Sequence, residues 1–411
     1  MKYFGHEVDL ATVCSAITYG YTASATDEDT GVKFLRITDI VPDRINWETV
    51  PFCPISEKDL EKYQLNIGDI VVARTGATTG WNKTIKQMNY KAVYASYLIK
   101  YSVDHSIADP IYVGYNLQSS NWYDYVDAIA GGSAQPGANA KQLGSFKFLL
   151  PPLPEQKAIA SVLSSLDDKI DLLHRQNMTL EAMAETLFRQ WFIEEAKEDW
   201  EEVPLSEVAV IQNGYAFSSK DYVEKTVNEY EVLKMGHIDK NATLKLNPKR
   251  DYVPRKPELK RFVLNYNDIV MPMTDMKDNV VILGVPALVD ANDKYVLNQR
   301  VARIYLKEDS KLSSIYYLFL QLKDPDFIAR LQSTANSGVQ VNLSTQAIKD
   351  CPIVIPSLEK QAEHRNTITG FYEQISNNRK QIQTLENLRD TLLPKLMSGE
   401  VRVQYQTEEV A

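Results

Sequence analysis

Forked and amide-bearing side chains gather in a few stretches of this chain. Arg74-Thr75-Gly76-Ala77-Thr78-Thr79-Gly80-Trp81-Asn82-Lys83 follows an apolar run. Gly131-Gly132-Ser133-Ala134-Gln135-Pro136-Gly137-Ala138-Asn139 forms a second small-residue stretch. Arginine can fork onto the O6 and N7 atoms of guanine, and Asn or Gln can pair bidentately with adenine. Arg74, Thr75, Thr78, Asn82, Lys83, Ser133, Gln135 and Asn139 are therefore candidate contacts to DNA. Later in the chain Thr274, Lys277, Gln340 and Asn342 are candidates of the same kind. Residues 245–261 carry Lys245, Lys249, Arg250, Arg255, Lys256, Lys260 and Arg261 against only Asp251 and Glu258. That local excess makes Lys249, Arg250, Arg255 and Lys256 candidate phosphate contacts.

Catalytic constellations are absent from the sequence. His6, His105, His174, His237 and His364 stand alone, with no HExxH and no zinc-type pairing with cysteine. Gly76–Thr84 superficially resembles a P-loop, but Trp81 stands where Lys-Ser/Thr must follow the last glycine. Neither the Asn/Asp-Pro-Pro-Tyr/Phe motif of amino-methyltransferases nor GxSxG occurs. No metal site, bound cofactor or enzymatic activity is expected of this chain. The three scattered cysteines, Cys14, Cys53 and Cys351, form no CxxC and suit a reducing cytosol. The N-terminus lacks a signal-peptide core, and the apolar run at 315–322 is too short to span a bilayer. A cytoplasmic protein without membrane contact is the expectation.

The elements that position these residues are duplicated. Gly68-Asp69-Ile70-Val71-Val72-Ala73-Arg74-Thr75 returns about 200 residues later as Asn267-Asp268-Ile269-Val270-Met271-Pro272-Met273-Thr274. Tyr19-Gly20-Tyr21 returns as Asn213-Gly214-Tyr215, Gly132-Ser133-Ala134-Gln135 as Ser337-Gly338-Val339-Gln340, and Gln156 as Gln361. Their shared order indicates a tandem repeat. Each copy begins with a mixed globular part, residues 1–150 and 198–356. Strands are predicted at 70–73, 97–101, 146–150, 269–271, 280–285 and 301–306, and helices at 111–117 and 314–322. Each copy then closes with a long helix, in segments 151–197 and 357–411, entered at Pro151-Pro152 and at Pro356.

Both helices carry a spacing of alternating 3 and 4, the signature of a coiled-coil seam. The first series is Ile159, Leu163, Leu166, Ile170, Leu173, Asn177, Leu180, Ala184, Leu187 and Trp191. The second is His364, Ile368, Phe371, Ile375, Asn378, Ile382, Leu385, Arg389, Leu392 and Leu396. Setting Asn177 opposite Asn378 in an antiparallel pair gives every seam position a seam partner. Leu180 then faces Ile375, Ala184 faces Phe371 and Leu163 faces Leu392. Only the Leu166–Arg389 layer is poor, and there the guanidinium must snorkel outward. An antiparallel coiled coil with an Asn–Asn layer fixing register is the expectation. The seam from 159 to 191 would run about 48 Å and relate the globular parts by a pseudo-two-fold axis, a geometry suited to two DNA half-sites. The fold class is α/β (α+β), two similar domains joined by two long helices.

Two variable repeats, each closed by Pro151-Pro152-Leu153-Pro154-Glu155-Gln156-like sequence and a long helix, resemble the specificity subunit (HsdS) of type I restriction–modification systems. Leu187-Phe188-Arg189-Gln190-Trp191-Phe192 and Leu392-Leu393-Pro394-Lys395-Leu396-Met397-Ser398-Gly399-Glu400-Val401 carry the same resemblance. The second copy departs from it in Pro356-Ser357-Leu358-Glu359-Lys360-Gln361. The resemblance implies two target recognition domains on double-stranded DNA, each reading one half of a bipartite site. It also implies two methyltransferase (HsdM) subunits and restriction (HsdR) subunits as partners. S-adenosylmethionine, ATP and Mg would belong to those partners. Because Arg74-Thr75-Gly76-Ala77 is replaced by Met273-Thr274-Asp275-Met276, the two half-sites should differ. A coiled-coil scaffold binding only protein partners is the alternative reading of the same repeat. The net charge of −9 argues against binding polyanions by bulk charge.

Overall fold

The fold is described from a computed structural model, over residues 5–42, 44–130, 137–196, 200–226, 228–245, 248–276, 280–337 and 340–404. The chain divides into two units, one of residues 1–172 with 381–411 and one of residues 173–380. Each unit therefore holds a stretch of both long helices.

In the first unit the strands are β1 (His6–Asp9), β2 (Cys14–Tyr19), β3 (Val32–Leu35), β4 (Asp69–Ala73), β5 (Asn82–Thr84), β6 (Lys91–Tyr94), β7 (Leu98–Val103) and β8 (Lys147–Leu150). An antiparallel sheet runs in the order β2-β7-β4-β5, beside a parallel pair β3-β6 and an antiparallel pair β1-β8. The central strands β4 and β7 are buried at nearly every position, because both faces of the sheet are covered. Ile70, Val72, Ile99 and Tyr101 face a core built with Tyr112, Trp122 and Phe148. The alternate residues Val71, Ala73 and Leu98 face a second core with Leu35 and Tyr94.

The second unit repeats this frame and adds strands to it. Its strands are β9 (Glu201–Pro204), β10 (Ala209–Asn213), β11 (Glu229–Leu233), β12 (Tyr252–Pro254), β13 (Ile269–Pro272), β14 (Thr274–Met276), β15 (Ala287–Leu288), β16 (Tyr295–Leu297), β17 (Val301–Leu306), β18 (Asn336–Ser337), β19 (Gln340–Asn342) and β20 (Pro352–Ile355). The order β10-β17-β13-β15 matches β2-β7-β4-β5, the parallel pair β11-β16 matches β3-β6, and β20-β9 matches β1-β8. Strands β12, β14, β18 and β19 are the additions. Asp69 with Lys100 and Asp268 with Arg303 form buried ion pairs at the same place, 3.5 and 2.8 Å apart. Helices at Pro110–Asn116 and Ile315–Lys323 fill the two predicted helical positions. The predicted strand at 280–285 is instead a turn. The buried Asp275 carboxylate accepts the backbone N–H groups of Val281, Ile282 and Leu283, and Gly284 follows at φ +74°. Those N–H groups are engaged by one side chain and are not left for a ladder.

The long helices run from Leu153 to Arg189, closed by a π-turn at Gln190–Glu194, and from Leu358 to Ser398. Their pairing is antiparallel, in the expected register. In the second unit Asn378 Nδ2 donates to Asn177 Oδ1 at 2.8 Å, with both residues buried. Gln374 donates to Asn378 Oδ1, so the amide layer is satisfied on both sides. Further along, Trp191 stacks on His364 with ring centroids 3.7 Å apart. Within the first unit Ile159 and Leu163 pack in one core with Leu392 and Leu396. Arg389, the misfit of the seam, turns to Asp167 at 3.2 Å and to Asp390 at 2.9 Å.

A repeated glutamine fastens each globular part to its helix. Gln156 accepts the Asp109 N–H and donates to the Pro151 carbonyl, both at 2.8 Å. Gln361 accepts the Ser313 N–H and donates to the Pro356 and Lys311 carbonyls. Both side chains are buried, which explains why the amide recurs in each copy.

Candidate nucleic-acid interface

The loop after β4 is closed at its base by Gly80 N–H donating to the Ala73 carbonyl and Ala73 N–H donating to that of Trp81. Gly76 and Gly80 sit at φ +77° and +88°, conformations that favour glycine. Thr75 bridges to Gly137, and Ala138 N–H donates to the Arg74 carbonyl. The two stretches singled out in the first copy are thus laid against each other. Arg74 Nε donates to the Ser96 carbonyl at 3.1 Å, and its guanidinium lies 5.1 Å from the centroid of the Tyr19 ring. Tyr19 Oη in turn accepts the Ala140 N–H. Arg74 is therefore held in place at a half-buried position.

The second copy builds the same neighbourhood as a small sheet, β14-β19-β18. Thr274 pairs with Asn342, Asp275 with Val341 and Met276 with Gln340. Residues 274–276 and 340–342 are again joined, here by a strand ladder. Asn342 is exposed and Gln340 half-buried on this sheet.

Several candidates have other duties. Asn82 is buried, and its Nδ2 donates to the Gly80 and Leu117 carbonyls. It is a brace of the loop base, which corrects its reading as a contact residue. Thr274 is buried too, its hydroxyl donating to Asn342 Oδ1, so it orients Asn342 and has no free face. Asn139 uses Oδ1 to cap the helix Ala140–Gly144. Thr75, Thr78 and Lys83 are half-buried around the loop. Ser133, Gln135 and Lys277 lie outside the described residues.

The basic segment sits elsewhere, around edge strand β12 of the sheet β12-β11-β16. Its charge is partly compensated within the fold. Arg250 lies 3.3 Å from Glu231, and Arg255 donates to the carboxylate and carbonyl of Asp293 while covering the Tyr230 ring. Lys249 and Lys256 are exposed. The excess of positive charge counted from the sequence is therefore reduced at Arg250 and Arg255.

A tight turn beside the loops carries residues that sequence reasoning missed. It spans residues 95–98 in the first copy and 298–301 in the second. Leu98 N–H donates to Ala95, and Val301 N–H to Asn298. Gly20 and Gly214 pass so close beneath the two turns that a Cβ would stand 2.2 Å from the Ala95 or Asn298 carbonyl oxygen. This contact is the reason for the repeated Gly-Tyr pair in the sequence. Tyr97 and Arg300 occupy equivalent exposed positions on the two turns.

The amino-acid sequence matches the family described as type I restriction modification DNA specificity domain, over residues 18–182 and 197–387. The chain belongs to this family. Its two matched segments follow the two copies of the repeat. Members are the non-catalytic, DNA sequence-recognition subunits of type I restriction–modification systems. The chain is 27% identical over 375 residues to the type I restriction enzyme MjaVIII specificity subunit of Methanocaldococcus jannaschii, covering 86% of this chain and 83% of that protein. It is 23% identical over 331 residues to the HindI specificity subunit of Haemophilus influenzae, covering 65% and 71%. The crystal structure of the S subunit from M. genitalium superposes with a TM-score of 0.58 at 15% identity, over 98% of this chain and 96% of the other, and so shares the fold. Among the described residues no group of His, Cys, Asp and Glu is arranged to hold a metal ion, and no helix is long and apolar enough to cross a membrane.

Proposed function

We propose that this chain reads a bipartite, asymmetric DNA sequence, one half with each copy of the repeat. The loop pair of each copy is the reading surface: residues 74–81 with 137–139 in the first, and β14 with β19 in the second. One observation carries this reading. The two loops chosen for their chemistry are joined to each other in both copies, on a frame whose backbone is the same, while the side chains they present differ. Arg74 in the first copy corresponds to buried Met273 in the second, so a base read by one cannot be read in the same way by the other.

The long helices act as spacer between the half-sites and as the surface for two methyltransferase (HsdM) subunits, with restriction (HsdR) subunits added to these. S-adenosylmethionine would be bound by the methyltransferase subunits, and ATP and Mg by the restriction subunits. The target adenine must leave the base stack to be methylated, which places that chemistry in a partner's pocket. Methylome sequencing of a host expressing this chain with its methyltransferase tests the reading. A new bipartite motif with two different halves is expected. A palindromic motif, or no new methylated motif, would overturn it.

A further inference from the structure

We infer that the tight turns carrying Tyr97 and Arg300 are a third reading element in each half, and that these two residues fix part of the base or backbone preference of their own half-site. The inference rests on the reading proposed above.

The two turns are equivalent bond for bond. Tyr21 bridges to Ala95 in parallel fashion, and Tyr215 to Asn298. Ser96 N–H donates to the Tyr21 carbonyl, and Gln299 N–H to that of Tyr215. The Tyr97 carbonyl accepts the Arg74 N–H at 3.0 Å, and the Arg300 carbonyl accepts the Met273 N–H at 2.9 Å. The turn is thereby bonded directly to the first residue of the loop after β4, or to its counterpart after β13. From there the second copy continues to the other loop, because Leu343 N–H donates to the Met273 carbonyl. In the first copy the link is also made by a side chain, Arg74 Nε on the Ser96 carbonyl.

On this matched backbone the presented chemistry is different. Tyr97, a large aromatic, is 58% exposed. The corresponding Arg300 is exposed, and no acidic side chain among the described residues pairs with it. Gln299 beside it is exposed as well. A tyrosine offers a flat apolar face and one hydroxyl, suited to a thymine methyl or a phosphate oxygen. An arginine offers a planar fork suited to guanine or to a phosphate. Gly20 and Gly214 hold both turns close against the neighbouring strand end, so the two side chains start from fixed positions.

The test uses the complete methyltransferase complex with Tyr97→Ala, Arg300→Ala and Arg300→Lys in the full chain. Methylation rates and motifs are read by sequencing, with thermal melting as a check on folding. The native complex first reports whether the motif is bipartite and asymmetric, and failure there is failure of the underlying reading alone. Given such a motif, Tyr97→Ala should slow methylation about tenfold and relax one or two positions in one half only. Arg300→Ala should do the same in the other half. If Arg300 reads guanine, Arg300→Lys fails like the alanine variant, because the fork is lost. If Arg300 holds a phosphate, Arg300→Ala slows methylation without relaxing the motif and Arg300→Lys restores the rate, and either result supports the turn as a contact. Unchanged rates and motifs in stably folded variants would overturn the inference.

Discussion

An amide can pair with adenine, yet Asn82 Nδ2 donates to the protein's own carbonyls and Asn139 Oδ1 accepts a backbone N–H. Residue type and loop position are legible in a sequence. Which carbonyl a side chain will meet 35 positions away is not. The reverse holds for Tyr97 and Arg300, whose importance depends on a turn placed beside the loops by strand pairing. His364 shows what burial adds to a residue that the heptad spacing already placed on the seam. It is stacked on Trp191, with Glu363, Glu195 and Lys360 around it. Burial pushes its pKa below the ordinary value near 6.5, and this outweighs the two carboxylates. The folded protein thus resists protonation at a group that protonates freely when unfolded. Stability from this group is present above about pH 6.5 and is lost as pH falls through the lowered folded value. Between pH 7.5 and 5.5 the melting temperature should fall further in the native chain than in His364→Phe. Parallel pH profiles for the two proteins would exclude the imidazole as the cause.

At the scale of elements, the pairing of the long helices was the most legible part of the fold. A seam repeats its rule every few residues, and two polar positions, Asn177 and Asn378, pin the register. The segment 280–285 reads as a strand because an apolar run looks alike in a strand and in a turn, here one that buries Leu283 and Val285 and leaves Val280 and Val281 exposed. Its conformation depends on Asp275, a residue outside the run. The helix entries carry a difference that the sequence displayed but did not explain. Glu155, before Gln156, is fully buried and accepts Arg402 Nε at 2.8 Å, a residue beyond the second helix. Lys360, before Gln361, pairs at 3.0 Å with Glu195, a residue beyond the first. The same bracket is built twice with its charges exchanged. The two should not weigh equally. Glu155 is 0% exposed, whereas Glu195 is 45% exposed. Arg402→Ala leaves a buried carboxylate without its cation and should cost about 3 kcal/mol. Lys360→Ala leaves its former partner in water and should cost less than about 1 kcal/mol. Thermal melting of the two variants should show a clear loss for the first and little for the second. Equal losses would mean that the first bracket is not desolvated.

For the molecule as a whole, charge decides what the chain can do unaided. Its net charge is −9, and residues 151–199, mostly the first long helix, hold 5 basic and 10 acidic side chains. Residues 200–355 are balanced at 20 of each, and part of that positive charge is paired internally at Arg250, Arg255 and Arg303. Nonspecific affinity for a duplex comes from releasing counterions with unpaired cations, and here acidic side chains outnumber basic ones, 54 to 45. The reading loops supply forks and amides, which discriminate between bases but add little attraction at long range. Tight binding should therefore require subunits that surround the DNA with positive charge. At about 150 mM salt the chain alone should bind its own site in the micromolar range typical of nonspecific contacts, and bind a scrambled duplex nearly as well. With its methyltransferase subunits, affinity for the proper site should rise at least about 100-fold, into the range of specific readers, and become strongly sequence-dependent. Fluorescence anisotropy with labelled duplexes measures both. Nanomolar, sequence-specific binding by the isolated chain would show that its own loops hold DNA without outside charge, against the distribution found along this sequence.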